Sequence, residues 1–255
     1  SEPEAPAPDP GESAQPEAVP LNAPDAELSQ SPCEAVIPYS TYDVIVQMSG
    51  YQSQLILGVQ IFAGVEALQQ VEMVPTQERQ PQVLVSQIPV HNLAGPPQPN
   101  LTEYSTARIL ARVVIPQYVT VHLGRPNASA ANVTVSFRSY IKNVASSEIY
   151  PTWPENALRA NIYCQISLTL NRIFTEWYRS RGYDFDITSS TSYDQAFINN
   201  RDIFTNISKI VDEIFDTYIQ KSNFTEPFYA EYCDGRQVTC PGLKQWGTVT
   251  LANQG

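Results

Sequence analysis

The sequence predicts an α+β fold, in which a strand-rich first half is followed by clustered helices. Two observations support this prediction. Short segments before position 137, such as "YDVIVQM" and "NVTVSF", alternate apolar and polar residues, which is typical of half-buried strands. Beyond that position, apolar residues recur at every third or fourth place, which is typical of amphipathic helices.

The charge balance excludes one large class of function. The chain of 255 residues carries 15 Lys and Arg against 26 Asp and Glu, a net charge of −11. Nucleic acid binding needs basic side chains against the phosphates, so we expect no nucleic acid partner. No apolar run approaches the roughly 20 residues that cross a bilayer, so we expect no transmembrane segment.

Residues 1–38 are predicted to be a disordered, acidic, Pro-rich linker. They contain nine prolines and no Lys or Arg. Such a composition buries too little apolar surface to offset the entropy that is lost on ordering. We interpret the segment as a spacer, with a surface tether as the alternative.

Residues 39–76 are predicted to be a small β module. Turn signals at Gly50 and Gly64 bound "LILGVQIFA", and "LQQVEMV" adds a weaker third strand, which together indicate antiparallel pairing. The stretch "YDVIVQMSGYQ" resembles the last strands of a carboxypeptidase-regulatory-like β-sandwich. The resemblance implies an incomplete module, because the opening strands of such a sandwich are missing.

Two further segments complete the predicted organisation. Residues 77–106 are polar and Pro-rich and are predicted to be a linker. Residues 107–255 form the last domain, which begins with the strand-like segments "ARILARVVI", "YVTVHLG" and "NVTVSF". Ser136 is the predicted cap of a short helix that ends near Glu148. Pro154 opens a long helix closed by Gly182, and a third helix covers about 203–218.

The junction between the first two helices places a carboxylate among aromatic side chains. Glu148 is followed by Tyr150 and Trp153. Burial against these rings would raise the pKa of Glu148, whereas the positive end of the helix that starts at Pro154 would lower it. The rings also offer flat apolar surfaces suited to sugars. The alternative interpretation is a solvated glutamate beside a tryptophan that anchors the core.

The segment "YIKNVASSEIYPTWPENALRA" resembles the signature of the stage II sporulation protein D / amidase enhancer LytB (SpoIID/LytB) family, which reads roughly Y-L-x-G-V-V-x-S-E-M-P-x-x-W-P-x-E-A-L-K-A-Q. The identical positions are Tyr140, Val144, Ser147, Glu148, Trp153, Pro154, Ala157, Leu158 and Ala160. "TSYDQAF" resembles the family element D-x-Q-x-Y, and "QWGTVTLANQG" resembles the family ending M-S-Q-Y-G-A-x-x-L-A-x-Q-G. Three elements in the family order make the resemblance specific.

The chain also departs from the family pattern. Where the family helix continues A-V-A-A-R-T-Y-A-L, this chain has "IYCQISLTL", so that Ile166 and Leu168 replace the Arg and the Tyr. The family segment H-G-V-G-M-S shortens to "CPGLK" and loses its His. The family domain extends beyond the position of Gly255, so we expect a domain that is truncated at its C-terminus. These departures favour a non-catalytic alternative.

The resemblance implies action on peptidoglycan at the surface or in the wall of a bacterium. Family members include lytic transglycosylases, which cleave between N-acetylmuramic acid and N-acetylglucosamine and leave 1,6-anhydro ends. Glu148 would protonate the leaving oxygen and then accept the proton of the muramyl C6 hydroxyl. Because this nucleophile belongs to the substrate, one carboxylate suffices where ordinary glycosidases need two. We expect no cofactor.

Five residues are candidates for substrate binding. They are Tyr150, Trp153, Tyr183, Asp194 and Gln195. The alternative for Asp194 and Gln195 is that they hold a loop, and the alternative for Tyr183 is a solvated turn.

The four cysteines are too few for a disulfide scaffold. Cys233 and Cys240 lie close together in "CDGRQVTCPG", where a local disulfide is the first interpretation and unpaired thiols or a metal site are the alternatives. Cys164 lies in a helical pattern and is predicted to be a core residue.

Two other functions compete with glycan cleavage. The chain is either a non-catalytic module that binds peptidoglycan or activates a cell-wall amidase, or a structural surface protein that kept only the scaffold. A groove lined by Glu148, Trp153 and Gln195 would disfavour the structural protein, whereas a Glu148 buried in a salt bridge would favour it.

Overall fold

The computed structural model describes residues 18–32, 36–77, 83–91, 93, 110 and 112–255, and the predicted strand "ARILARVVI" lies partly outside them. Within these ranges the fold is α+β, as the sequence predicts, with four α-helices and four small sheets. None of the described helices is both long and apolar enough to cross a membrane.

The first sheet has three strands in the order β1-β2-β4. Strand β1 (Ser40–Val46) pairs antiparallel with β2 (Ser53–Ile61), as predicted, and β4 (Val83–Gln87) pairs parallel with β2. The prediction of a linker over 77–106 is therefore wrong at β4. The segment "VLVSQ" alternates like a strand, and the open edge of β2 supplies its hydrogen-bonding partner.

The predicted third strand of this module is also wrong. Of "LQQVEMV", only Leu68 lies in a strand, β3 (Ala67–Leu68). This short strand leaves the first sheet and pairs antiparallel with β8 (Ile203–Phe204), far along the chain. Pairing with a distant strand is a tertiary event that no local pattern reveals.

The second three-stranded sheet follows the order β6-β5-β7. Strands β5 (Tyr118–His122) and β6 (Asn132–Ser136) lie in two of the predicted strand-like segments and form an antiparallel pair, and β7 (Ile187–Thr188) pairs parallel with β5 at the edge of the sheet. The segment "ARILARVVI" is not a strand in its described part, since residues 110 and 112–115 are irregular.

The helices build the core around which the site is arranged. Ser136 caps α1 (Phe137–Glu148), and its hydroxyl accepts the N–H of Ser139 at 3.1 Å, as predicted. Helix α2 (Glu155–Phe174) begins directly after Pro154. Tyr140, Ile141 and Val144 on α1 and Leu158, Ile162 and Ile166 on α2 are almost completely buried in one core.

Two helices are shorter than predicted. Helix α2 ends at Phe174, because Glu176 adopts a φ of 44° that no right-handed helix allows. Gly182, at φ 85°, instead closes a short 3-10 helix, Arg179–Arg181. Helix α3 (Thr205–Ile214) ends before position 218. A further helix, α4 (Gln245–Ala252), closes the described chain.

The two short strands β9 (Tyr232–Cys233) and β10 (Leu243–Lys244) form a parallel pair. A disulfide joins Cys233 to Cys240, with their Cα atoms 6.1 Å apart. We call residues 233–240 the disulfide loop. A side chain at Gly242 would place its Cβ 1.8 Å from the carbonyl oxygen of Glu231, so only glycine permits this close approach.

The N-terminal segment is more ordered than its composition predicts. Residues 18–32 and 36–38 are among those described, and they include a 3-10 helix, Ala26–Ser29, whose first turn is capped by Asp25. We call residues 25–32 the N-terminal strap. Ser29 is completely buried against the helical part of the molecule, so the prediction of disorder is wrong for the strap. Specific hydrogen bonds compensate for its low apolar content.

The module predicted over 39–76 packs directly on the helices. Tyr39 and Phe62 belong to the same core as α1, α2 and α3, and the rings of Phe62 and Phe204 are 5.2 Å apart. The boundaries at 76 and 107 stay a prediction. The shared core ties the first sheet to the domain that follows it.

Candidate functional site

Glu148 is the last residue of α1, and Ile149 after it turns to extended backbone. Its side chain points into the interior, where the residue is only 1 % exposed. The carboxyl group meets α2, β9 and the loop of residues 189–198, which we call the 189–198 loop. One helix, one strand and one loop therefore converge on one carboxyl group.

Three donors surround this carboxyl group. The N–H of Ala196 donates to Oε1 at 2.7 Å, and the hydroxyl of Tyr232 donates to Oε2 at 2.6 Å. The amide of Gln165 donates to Oε2 at 3.0 Å. None of the ion pairs between described residues involves Glu148. The charge is thus stabilised by hydrogen bonds alone.

Burial and hydrogen bonding act on the pKa of Glu148 in opposite directions. Removal from water disfavours the charged form and raises the pKa, whereas the bonds from Tyr232, Ala196 and Gln165 favour it and lower the pKa. Burial is the larger effect and raises the pKa of Glu148 to about 7. A carboxyl group in this state carries a proton for part of the time at neutral pH, as a general acid requires.

Gln195, a candidate for substrate binding, lies close to Glu148, and its side chain is fully buried. Its amide nitrogen donates to the Tyr232 hydroxyl at 3.0 Å and to the carbonyl of Gln165 at 3.1 Å. Its oxygen accepts from Tyr140 and Thr169. Gln195 therefore orients two of the three groups that contact Glu148.

Asp194 anchors the 189–198 loop. Its carboxylate accepts from Arg172 Nε at 2.8 Å in an ion pair whose two side chains are 4 % and 0 % exposed. The second oxygen accepts from the Tyr178 hydroxyl at 2.6 Å and from the backbone and hydroxyl of Thr188. These contacts correspond to the loop-holding alternative for Asp194. They hold the loop in place two residues before Ala196, whose amide contacts Glu148.

Tyr183 is not brought to this group. Its hydroxyl hydrogen-bonds to Asn127, and its ring packs on Tyr178 and Phe185 with centroids 5.9 and 5.0 Å apart. This position is at the end of the second sheet. Tyr183 is not among the residues that line the cavity described next.

A cavity of about 610 Å3 lies beside the 189–198 loop, and Glu148 is not among the residues that line it. Its wall combines aromatic rings, hydroxyl groups and charges, a mixture suited to a polar ligand with flat apolar faces. The lining includes Tyr150, His91, Trp246, Ser190, Asp234 and Arg236. Ala196 also lines it, so the peptide N–H that contacts Glu148 Oε1 separates the carboxyl group from the cavity.

Trp153 lies behind the strap rather than on the open wall. It is only 3 % exposed, and its indole N–H donates to the carbonyl of Ser29 at 2.9 Å. Its ring packs on Tyr150 and Trp246, with centroids 5.6 and 5.1 Å away. Of the two predicted aromatic contacts, Tyr150 reaches the cavity and Trp153 supports it from beneath.

The sequence analysis missed several residues of the site. Tyr232, Gln165 and Arg236 carried no signal in the sequence, because the fold brings them to Glu148 and the cavity from distant elements. His91 also lines the cavity, and the centroid of its ring lies 4.9 Å from that of Tyr150. Burial and, to a smaller extent, the charge of Arg201 lower the pKa of His91 to about 3, so its ring is neutral.

The disulfide loop forms one side of the cavity. Asp234 accepts the N–H groups of Gln237 and Val238, each at 2.8 Å, and thereby shapes the turn. In the described ranges, no group of three or more His, Cys, Asp or Glu is placed to hold a metal ion. Cys233 and Cys240 are occupied by their disulfide, and Cys164 is a buried free thiol.

Comparison of the chain with models of protein families, with curated proteins and with solved structures finds no match. The resemblance to the SpoIID/LytB family therefore rests on the sequence motifs alone.

Proposed function

We propose that the protein acts on peptidoglycan glycan strands as a lytic transglycosylase, with Glu148 as general acid and then base. One observation carries this proposal. The signature glutamate is hydrogen-bonded to Ala196, which lines a cavity of mixed aromatic and hydroxyl character, and burial raises its pKa to about 7 without an ion pair. Envelope location, bacterial origin and partnership with an amidase are part of the same proposal.

The proposed reaction needs two proton transfers at Glu148, each of a different proton. Protonated Glu148 donates to the glycosidic oxygen as the bond to the muramyl anomeric carbon breaks. The carboxylate then accepts the proton of the C6 hydroxyl as that oxygen bonds to the anomeric carbon, which returns Glu148 to its starting state. Tyr232 and Gln165 stabilise the intervening carboxylate, since both donate to Oε2.

Of the two carboxyl oxygens of Glu148, Oε1 is the one that exchanges protons with the glycan in the proposed reaction. Oε2 faces two interior donors, whereas Oε1 has one partner, the N–H of Ala196 on the cavity wall. In the proposed reaction only the Ala196 peptide turns away and releases Oε1, while Asp194 keeps the rest of the 189–198 loop in place. The pKa of Glu148 then rises further, because the hydrogen bond from Ala196, which favours the charged form, is lost.

The decisive experiment compares two glutamate variants. Purified protein is incubated with peptidoglycan glycan strands, intact and stripped of peptides, and soluble products are analysed by mass spectrometry. We expect 1,6-anhydromuramyl ends from the parent and from Glu155→Gln, and at least 100-fold fewer from Glu148→Gln. Glu155 is a matched control, since it is exposed at the start of α2. Equal product release by Glu148→Gln and the parent would exclude the mechanism.

A second function is supported by a different observation. Three donors already occupy both oxygens of Glu148, and the carboxyl group does not itself line the cavity. A module that binds glycan without cleaving it, or that presents it to an amidase, fits this arrangement. Saturable binding of glycan strands with no anhydro ends from any variant would favour it over cleavage.

A further inference from the structure

The strap lies across one side of the cavity and is held there by a small number of polar contacts. The carbonyl of Ser29 accepts the indole N–H of Trp153, and the Ser29 hydroxyl accepts from Thr152 Oγ1 at 2.6 Å. Gln30 donates to the carbonyl of Thr152. At the other end, Arg236 donates to the carbonyl of Pro32 at 2.7 Å. Leu28, Ser31 and Pro32 contribute to the cavity lining.

Apolar burial adds little to this attachment. Ser29 is the completely buried residue of the strap, while Leu28 remains 39 % exposed and Glu27 is exposed. A segment attached by a few hydrogen bonds and little apolar burial belongs to the low-stability end of a protein, where local opening costs little. The strap can therefore separate from the domain without unfolding it.

The groups beneath the strap have the chemistry of a carbohydrate subsite. Trp153 presents an indole N–H, Thr152 a hydroxyl and a carbonyl, and Arg236 a guanidinium group, and all of them bond to strap atoms. Sugar hydroxyls and acetamido groups both donate and accept hydrogen bonds. They match this set of donors and acceptors, and the Trp153 and Trp246 rings offer the apolar face.

We propose that Thr152, Trp153 and Arg236 form a glycan-binding subsite, and that the N-terminal strap is its intramolecular occupant. The inference rests on the proposed function for the identity of the ligand. The strap carbonyls of Ser29 and Pro32 take the places of sugar oxygens. Glycan and strap exclude one another, so the chain as described is the self-inhibited state.

Only molecules whose strap is open can bind glycan. The apparent association constant is therefore the intrinsic constant multiplied by the fraction of molecules with an open strap. If the strap is open for about one tenth of the time, displacing it permanently tightens binding about tenfold. The effect must also work in the other direction. Glycan that fills the subsite releases the strap to solvent, just as release of the strap favours glycan binding.

The first test displaces the strap in the full chain. Ser29→Arg puts a long charged side chain where Ser29 is completely buried against Thr152 and Trp153, while Glu27→Arg adds the same side chain at an exposed strap position. Hydrogen exchange of residues 25–32 reports strap release, and titration with peptide-free glycan strands reports affinity. We expect faster exchange and about tenfold tighter binding for Ser29→Arg only.

The second test needs no substitution at Ser29. Hydrogen exchange of the strap is measured in the parent with and without saturating peptide-free glycan strands, and exchange should speed up on binding. Bound glycan that leaves strap exchange unchanged would overturn the inference. So would a released strap in Ser29→Arg with unchanged affinity, or the absence of any glycan binding by both proteins.

The two proposals fail separately. Cleavage that depends on Glu148, together with a strap that glycan does not release, would overturn the subsite and leave the transglycosylase. Tighter glycan binding by Ser29→Arg without anhydro ends would support the subsite and overturn the cleavage mechanism in favour of a binding module.

Discussion

At the scale of single residues, Glu148 is a carboxyl group whose burial outweighs its hydrogen bonds. The ordinary pKa of 4.5 rises to about 7 on folding. A raised carboxyl pKa means that the folded state binds the proton more tightly than the unfolded state does. The resulting stability is complete below pH 4.5 and is lost as the pH rises through 7.

The first prediction concerns this pH dependence. Between pH 5 and pH 8 the Glu148 contribution to the free energy of unfolding should fall by about 2 to 3 kcal/mol. Glu148→Gln should lack this component, because the amide does not titrate. Denaturant unfolding of both proteins at several pH values measures the difference. Parallel pH profiles for the two proteins would contradict the raised pKa.

The second prediction concerns Tyr232, whose hydroxyl donates to Glu148 Oε2. Tyr232→Phe removes a bond that favours the charged form, so the pKa of Glu148 should rise further. The proposed glycan cleavage slows once Glu148 is deprotonated, so the pH at which its rate falls should rise together with this pKa. A pH–rate profile measures the shift, and Tyr118→Phe, at a tyrosine 56 % exposed, is the control. An unchanged profile would argue against coupling of the two groups.

At the scale of elements, the site is assembled from the ends of α1 and β9 and from two constrained loops. Asp194 fixes the 189–198 loop through Arg172, Tyr178 and Thr188. The disulfide fixes the loop that follows Tyr232 and forms part of the cavity wall. The positions of both donors, Ala196 and Tyr232, therefore depend on constraints outside α1.

The third prediction tests the disulfide loop. The cysteines are 7 residues apart, and closing so short a loop stabilises a fold by about 2 to 3 kcal/mol. Replacing Cys233 and Cys240 by Ser should cost this much in denaturant unfolding and should weaken glycan binding. Cys164→Ser provides a comparison at the free buried thiol. Unaltered glycan binding by the double variant would show that the cavity does not need the loop constraint.

At the scale of the whole molecule, the first sheet and the helices share one hydrophobic core. Phe62 contacts Phe204 from the helical part and Tyr150 from the site junction, with ring centroids 5.2 and 5.7 Å away. His91, which follows β4, packs between the rings of Phe62 and Tyr150. The first sheet therefore helps to position one wall of the cavity.

The fourth prediction follows from this shared core. Phe62→Ala should destabilise the protein by about 3 to 5 kcal/mol, and the sheet and the helices should still unfold together. Far-UV circular dichroism and tryptophan fluorescence during denaturant unfolding should give coincident curves, since the tryptophans lie only in the helical half. Two separate transitions would show that residues 39–76 form an independent module.

Much of the fold was predictable because local chemistry determines it. Alternation in "YDVIVQM" and "YVTVHLG" identified β1 and β5, and Ser136 marked the start of α1. Local composition gave the wrong prediction for β4, which lies in a Pro-rich segment, and for the strap, which lies in an acidic segment. Both owe their order to partners elsewhere in the chain, β2 and Trp153.

The sequence by itself determined the α+β class, the first helix and the position of Glu148 at its end, since periodicity and capping act over a few residues. Only the tertiary structure decided the environment of that glutamate. Tyr232, Gln165 and the Ala196 amide come from three distant segments, and the strap covers Trp153 from a fourth. Burial and long-range contacts set the pKa and the access to the cavity, and neither is encoded in a local pattern.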